Sequence, residues 1–165
     1  MTNNLILAID PGNTQSGYVV VEHDGMKITS VLEKGKVDNV QIFGVLGRYE
    51  GADTAIEMVA SYGMPVGKEV FDTCVWAGRF VQAARSPKIE LIYRKEEKLY
   101  LCGTLTAKDS NITQALVDRF APGQPNKGKG TVKSPGFFHG FAKDVWAAMA
   151  VATTYFDKYV RGIKI

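Results

Sequence analysis

The 165-residue sequence predicts an α/β fold: a mixed five-stranded sheet, three antiparallel strands first, flanked by helices. Two observations carry this reading. The chain opens with three short β-rich runs separated by turn signals, the pattern of consecutive hairpins. Beyond them, two further strand-like runs alternate with longer segments of helical periodicity, which calls for crossover connections and therefore parallel pairing.

Each element follows from local chemistry. Residues 5–9 (LILAI) form an apolar run of strand length, closed by the turn Asp10-Pro11-Gly12-Asn13. Residues 17–23 (GYVVVEH) are β-branched and aromatic, Asp24-Gly25 supplies a hairpin turn, and residues 26–34 return as a third strand. Asp38 is placed to cap a helix reaching about Tyr49, with Val40, Phe43 and Leu46 along one stripe. Residues 53–60 (DTAIEMVA) read as a strand with a glutamate at its centre, 61–67 as a loop, and 68–85 as a helix stopped by Pro87. Residues 89–93 (IELIY) make the fifth strand. Lys95-Glu96-Glu97-Lys98 reads as a charged connection into an apolar Leu99–Cys102 segment. A helix capped by Asp109 or Ser110 runs to Phe120, and the last helix extends from near Phe141 to about Val160. Between them, residues 121–138 hold four Gly, three Pro and three Lys in 18 positions, which predicts a long flexible loop. With no internal repeat and no linker, the whole chain, 1–165, reads as one domain.

Composition narrows the function classes. No stretch approaches the ~20 consecutive apolar residues of a membrane span. An aspartate at position 10 and the lack of a basic start argue against a signal peptide. Two cysteines, Cys74 and Cys102, are too few for a disulfide framework, so a reduced, cytoplasmic setting is expected. The net charge of +3 hides an asymmetry. Residues 1–84 carry six basic and ten acidic side chains, whereas residues 85–165 carry fourteen basic and seven acidic. A basic half joined to an acidic half is compatible with a polyanionic partner, and equally with chance surface variation.

Three carboxylates stand out because an ionised carboxylate inside an apolar element costs several kcal/mol unless paired or metal-bound. Asp10 ends the Ile-Leu-Ala-Ile strand, Glu57 interrupts Ala-Ile-Glu-Met-Val, and Asp144 sits near the start of a helix of small apolar residues. Each has a bland alternative: turn initiation for Asp10, an edge-strand solvent face for Glu57, favourable dipole placement for Asp144. Taken together they suit hard cations such as Mg²⁺ or Mn²⁺, and the two-metal hydrolysis of phosphodiesters, with ions ~3.5–4 Å apart, is the obvious use.

These residues resemble the RuvC family of Holliday-junction resolvases, within the RNase H-like superfamily, and phage-borne members most of all. The resemblance is carried by Ile9-Asp10-Pro11-Gly12 followed by Gly17-Tyr18, by Ala55-Ile56-Glu57, and by Asp144 leading into Ala147-Ala148-Met149-Ala150-Val151-Ala152. It spans nearly the whole chain. It implies an endodeoxyribonuclease that leaves 5′-phosphate ends, with two Mg²⁺ (or Mn²⁺) ions held by Asp10, Glu57 and Asp144. It also implies a homodimer acting on four-way or branched DNA in a bacterial or phage-infected cytoplasm, with helix 68–85 as the dimer surface or, alternatively, as a plain core helix. The family's fourth ligand, three residues before the last aspartate, falls on Phe141, and His139 is the nearest substitute. The family's base-stacking aromatic falls on Ala60, which leaves Tyr62 for that role. Arg79, Arg85, Lys108, Lys127, Lys129 and Lys133 are the phosphate-contacting candidates, each alternatively a solvated surface charge, and Arg94, Lys95 and Lys98 extend that set.

Three rivals remain in view. Asp10-Pro11-Gly12-Asn13-Thr14 also fits the phosphate loop of actin-like ATPases and sugar kinases, although those proteins need a second copy of the fold. A junction binder without catalysis would account for the missing fourth ligand. Another RNase H-like nuclease, cutting flaps or hybrids, would use the same acids.

Overall fold

A computed structural model describes residues 3–165. Five strands, β1 (Leu5–Asp10), β2 (Gln15–His23), β3 (Ile28–Asp38), β4 (Asp53–Met58) and β5 (Ile89–Tyr93), form one sheet in the order β3-β2-β1-β4-β5. The pairs β1/β2 and β2/β3 are antiparallel, while β1/β4 and β4/β5 are parallel. The predicted mixed sheet is therefore present. The third strand runs four residues further than expected, because β2 begins at Gln15 and Gln15 pairs with Asp38.

Alternation along the strands gives the sheet two buried faces. Ile6, Ala8, Val19, Val21, Ala55 and Ile92 point to one side, where they meet α4 (Asp109–Phe120) and α5 (Lys143–Tyr155). Leu7, Ile9, Val20 and Ile56 point to the other, where α1 (Asn39–Arg48) and α2 (Lys68–Ala83) cover them. Helix α1 starts where Asp38 predicted, with the Asp38 N–H donating to the Gln41 side chain at 3.0 Å. Helix α2 buries Ala77 and Phe80 but leaves Phe71 and Val75 about 60% exposed, so it is both a core helix and a bearer of uncovered apolar surface.

Three expectations need correction. The charged run after β5 is a helix, α3 (Arg94–Cys102), which starts directly from the strand with the Tyr93 N–H donating to Glu96 at 2.8 Å and ends at Gly103 in the left-handed region. The last helix begins at Lys143, since Phe141 is drawn into an aromatic cluster with Phe138 and Trp146. That helix continues past Tyr155 as a wider turn over Phe156–Val160. The Gly/Pro-rich segment folds back on itself, with Gly136 and Phe138 N–H groups donating to the Lys129 and Gly128 carbonyls at 3.0 and 3.1 Å. Phe137 stacks on Phe120 at 4.8 Å, pinning the segment to α4.

Candidate active site

Period-2 geometry places the first two acids. Asp10 shares its sheet face with Ile6 and Ala8, and Glu57 shares it with Ala55, so both side chains point toward α5. Ile9 pairs with Ile56 in the parallel β1/β4 ladder, which brings Asp10 and Glu57 side by side at the carboxyl ends of adjacent strands. Ligands in open α/β sheets bind at that edge.

Asp144 approaches from across the site, in the first turn of α5. Its approach depends on Gly17, the β2 residue paired with Asp10. A Cβ at position 17 would strike the Asp144 carbonyl oxygen and lie 2.8 Å from the Asp144 Cβ. Only glycine lets the helix come this close, which gives the Gly17 of the sequence motif its physical reason.

The three acids line a cleft of about 560 Å³ whose walls also hold Arg94, Asp109, Lys127, Lys129, Lys143 and Trp146. Burial pushes the Asp10 carboxyl up to about 9, reinforced by Glu57 and Asp144 and opposed by Arg94. Glu57 is pushed up to about 8, again first by burial and then by the charge of Glu97. Asp144 instead pairs with Lys36 of β3 at 2.6 Å, an ion pair at the half-exposed rim. Arg94, the first residue of α3, stands 3.8 Å from Glu57, donates to Glu97 at 3.0 Å and also bonds Asp109.

Among the described residues, no three His, Cys, Asp or Glu side chains close to the spacing of an assembled metal site. The donor set nonetheless fits a divalent cation. Asp10 and Glu57 are hard oxygen donors buried side by side, their desolvation only partly relieved by Arg94, and Asp144 is held by a cation that a metal would displace.

The remaining expected residues divide clearly. Lys127 and Lys129 reach the cleft wall. His139 does not; it lies in the turn before α5, its Nδ1 3.3 Å from the Lys129 carbonyl oxygen. Phe141, at the fourth-ligand position, is 3% exposed. Tyr62 stands 58% exposed on the loop after β4, and Lys108 precedes α4, both outside the cleft wall. Lys133 sits in the exposed Thr131–Ser134 turn. Arg79 stacks on Trp76 at 4.2 Å and Phe43 at 5.2 Å. Arg85 lies 4.0 Å from Glu50, just ahead of the amino end of β4 and so at the opposite edge of the sheet.

The sequence alone did not single out Lys36, Lys143 or Glu97, and it offered Arg94 as a further phosphate-contacting candidate or a solvated charge rather than as a partner of Glu57. The available signals were the two-residue step from Lys34 to Lys36 on one strand face and the i, i+3 spacing of Arg94 and Glu97.

Solved structures carry the same architecture. RuvC from T. thermophilus in complex with a Holliday junction substrate superposes with a TM-score of 0.67 at 18% identity, covering 97% of both chains. The chain has the RuvC fold. A second T. thermophilus RuvC structure gives a TM-score of 0.66 at 19% identity over 96% of each chain. The yeast mitochondrial Holliday junction resolvase gives 0.55 at 9% identity, over 94% of this chain and 79% of the other. No protein-family model and no curated protein sequence matches the chain. The resemblance to RuvC read from the motifs is thus borne out across nearly the full length at the level of fold.

Proposed function

We propose that this chain is a metal-dependent, structure-selective DNA endonuclease that resolves Holliday junctions and other branched DNA by symmetric nicking. The observation that carries the reading is the placement of Asp10 and Glu57 at adjacent strand ends, faced by Asp144 across a cleft with lysines in its wall, on the RuvC fold.

Asp10, Glu57 and Asp144 would hold the metal, Mg²⁺ or Mn²⁺, two ions per site. When bound, such ions activate water and stabilise the leaving oxygen. The chain's own residues do the rest. Lys127, Lys129 and Lys143 attract the phosphodiester backbone and seat one phosphate over the acids. Arg94 tempers the charge at Glu57, so that phosphate can approach three carboxylates. Hydrolysis forms one bond from water oxygen to phosphorus and breaks the bond to the 3′ oxygen, which leaves with a proton. The products are a 5′-phosphate and a 3′-hydroxyl.

Two nicks on opposed strands need two sites, and a two-fold homodimer matches a near-two-fold junction. The exposed Phe71 and Val75 on α2 supply the apolar surface such a dimer would bury. No described helix is long and apolar enough to cross a membrane, and a junction substrate would suit a setting in the cytoplasm of a bacterium or a phage-infected host. Tyr62 and Lys108 extend the DNA track beyond the cleft, whereas Arg79 is engaged in stacking.

The test uses labelled four-way junction, flap, duplex and RNA–DNA hybrid with wild type and Asp10→Asn, with and without Mg²⁺. Paired symmetric nicks on the junction, lost in the variant, are expected. Cleavage of flaps or hybrids alone would replace the resolvase with another nuclease of this fold. One observation favours a second reading, a non-catalytic junction binder: the fourth-ligand position is the buried Phe141. Junction binding with no cleavage in Mg²⁺ or Mn²⁺ would establish that alternative.

A further inference from the structure

Glu97 is the only acidic residue of the described chain with a side chain entirely shielded from solvent, and it lies directly behind the cleft. Its Oε1 accepts from Arg94 Nη1 at 3.0 Å. Its Oε2 has no hydrogen-bond partner, and the arginine that holds its other oxygen also stands 3.8 Å from Glu57. An ion pair kept only for stability would have both oxygens satisfied, and an apolar residue of similar volume serves a core at least as well. Glu97 also stands outside the cleft wall, so it does not meet DNA or solvent cations itself.

Helix α3 explains how this residue comes to face the site. The helix springs from the end of β5, beside Glu57 on β4, and places position 97 one turn below Arg94. Arg94 then touches three acids: Glu57 on the sheet, Glu97 beneath it, and Asp109 at the start of α4. With Glu97 behind and Arg94 alongside, Glu57 has little freedom to turn from the cleft.

We propose that Glu97 is a positioning residue of this site, clamping Arg94 and backing Glu57 so that Glu57 holds one orientation toward the cleft. The inference rests on the nuclease reading and adds a residue to it. Groups that orient ligating carboxylates from behind contribute ~10–100-fold to metal affinity.

The test measures Mn²⁺ affinity by calorimetry, on protein without DNA, for wild type, Glu97→Gln, Glu97→Asp and Glu97→Leu. Gln keeps an acceptor for Arg94 and a polar group against Glu57, and should bind within about threefold of wild type. Leu fills the volume without either contact and should weaken binding by about 10–100-fold. Asp keeps the charge but withdraws by one methylene, and should also bind more weakly than Gln. If Leu disrupts folding, as judged by thermal unfolding in EDTA, the order of Gln over Asp decides. Equal affinity across the variants, or equal loss in all three, overturns the inference while leaving the nuclease reading standing. A wild type that binds no Mn²⁺ and cuts no junction overturns the reading beneath it.

Discussion

Without metal, the buried Asp10 carboxyl must take up a proton to sit in the fold near neutral pH, which costs stability, and Asp10→Asn should remove that cost. The folded protein holds the Asp10 carboxyl at about 9, against 3.8 as its ordinary value, because the group is buried beside Glu57 and Asp144. A group whose pKa is raised on folding stabilises fully below its unfolded value, and that contribution is lost as pH climbs toward the folded value. Asn does not titrate, so the variant escapes the loss. Between 3.8 and pH 7 the span is about three units, and at about 1.4 kcal/mol per unit the ceiling is about 4 kcal/mol. Glu57 and Glu97 share the burden and some relaxation occurs, so about 2 kcal/mol at pH 7 and about 1 kcal/mol at pH 5 is the expectation. For a chain of this size, 2 kcal/mol corresponds to a Tm increase of about 4–8 °C. The assay is thermal unfolding of both proteins in EDTA from pH 5 to 8. Carboxylates elsewhere titrate identically in both and cancel. The gap should widen as pH rises and narrow in saturating Mg²⁺, which stabilises only the form that binds it. A gap that is flat, shrinks with pH or favours wild type would refute the account in which burial holds the Asp10 carboxyl in its protonated form.

Gly17→Ala should cost about 2 kcal/mol in urea unfolding, since the new Cβ collides with Asp144 and drives the start of α5 away. Junction cleavage should fall with it; full stability in the variant would refute the close-approach argument. Lys36→Met removes a cation bound to Asp144 at 2.6 Å, and calorimetry should show Mn²⁺ binding about two- to fivefold tighter at low salt, with the difference fading in high salt. Asp157 accepts both arms of Arg119 at 2.7 and 2.8 Å and is 6% exposed. Asp157→Ala should therefore lower unfolding stability by about 3 kcal/mol without altering metal affinity, and a loss under 1 kcal/mol would count against a buried, bidentate pair.

What the sequence disclosed, and what it hid, follows from range. The hairpins were legible because Pro11-Gly12 and Asp24-Gly25 sit between short β-rich runs, and Asp10 and Glu57 were legible because an acid at the end or centre of an apolar strand breaks a pattern visible within a few residues. Alternation even fixes their common face once β1 and β4 are neighbours, and that neighbourhood is the first fact that local pattern cannot supply. Helix α3 was hidden because Arg94-Lys95-Glu96-Glu97-Lys98 has the composition of a solvated connection. Its folding depends on packing Leu101 and Cys102 against the core and on the Arg94–Glu97 pair within the helix, whose arginine also reaches Glu57 on β4. Phe141 shows the same limit from the other side. Its spacing before Asp144 matched a ligand position, yet the aromatic cluster of Phe138 and Trp146 claims it, and Lys34 rests 5.7 Å over its ring. Where the motif leads one to expect a fourth ligand at the mouth of the site, this chain has a packed aromatic, while Glu97 lies buried beside Arg94. The ligand missing from the α5 side and the buried acid on the α3 side are thus both consequences of tertiary packing, and neither could be read from spacing alone.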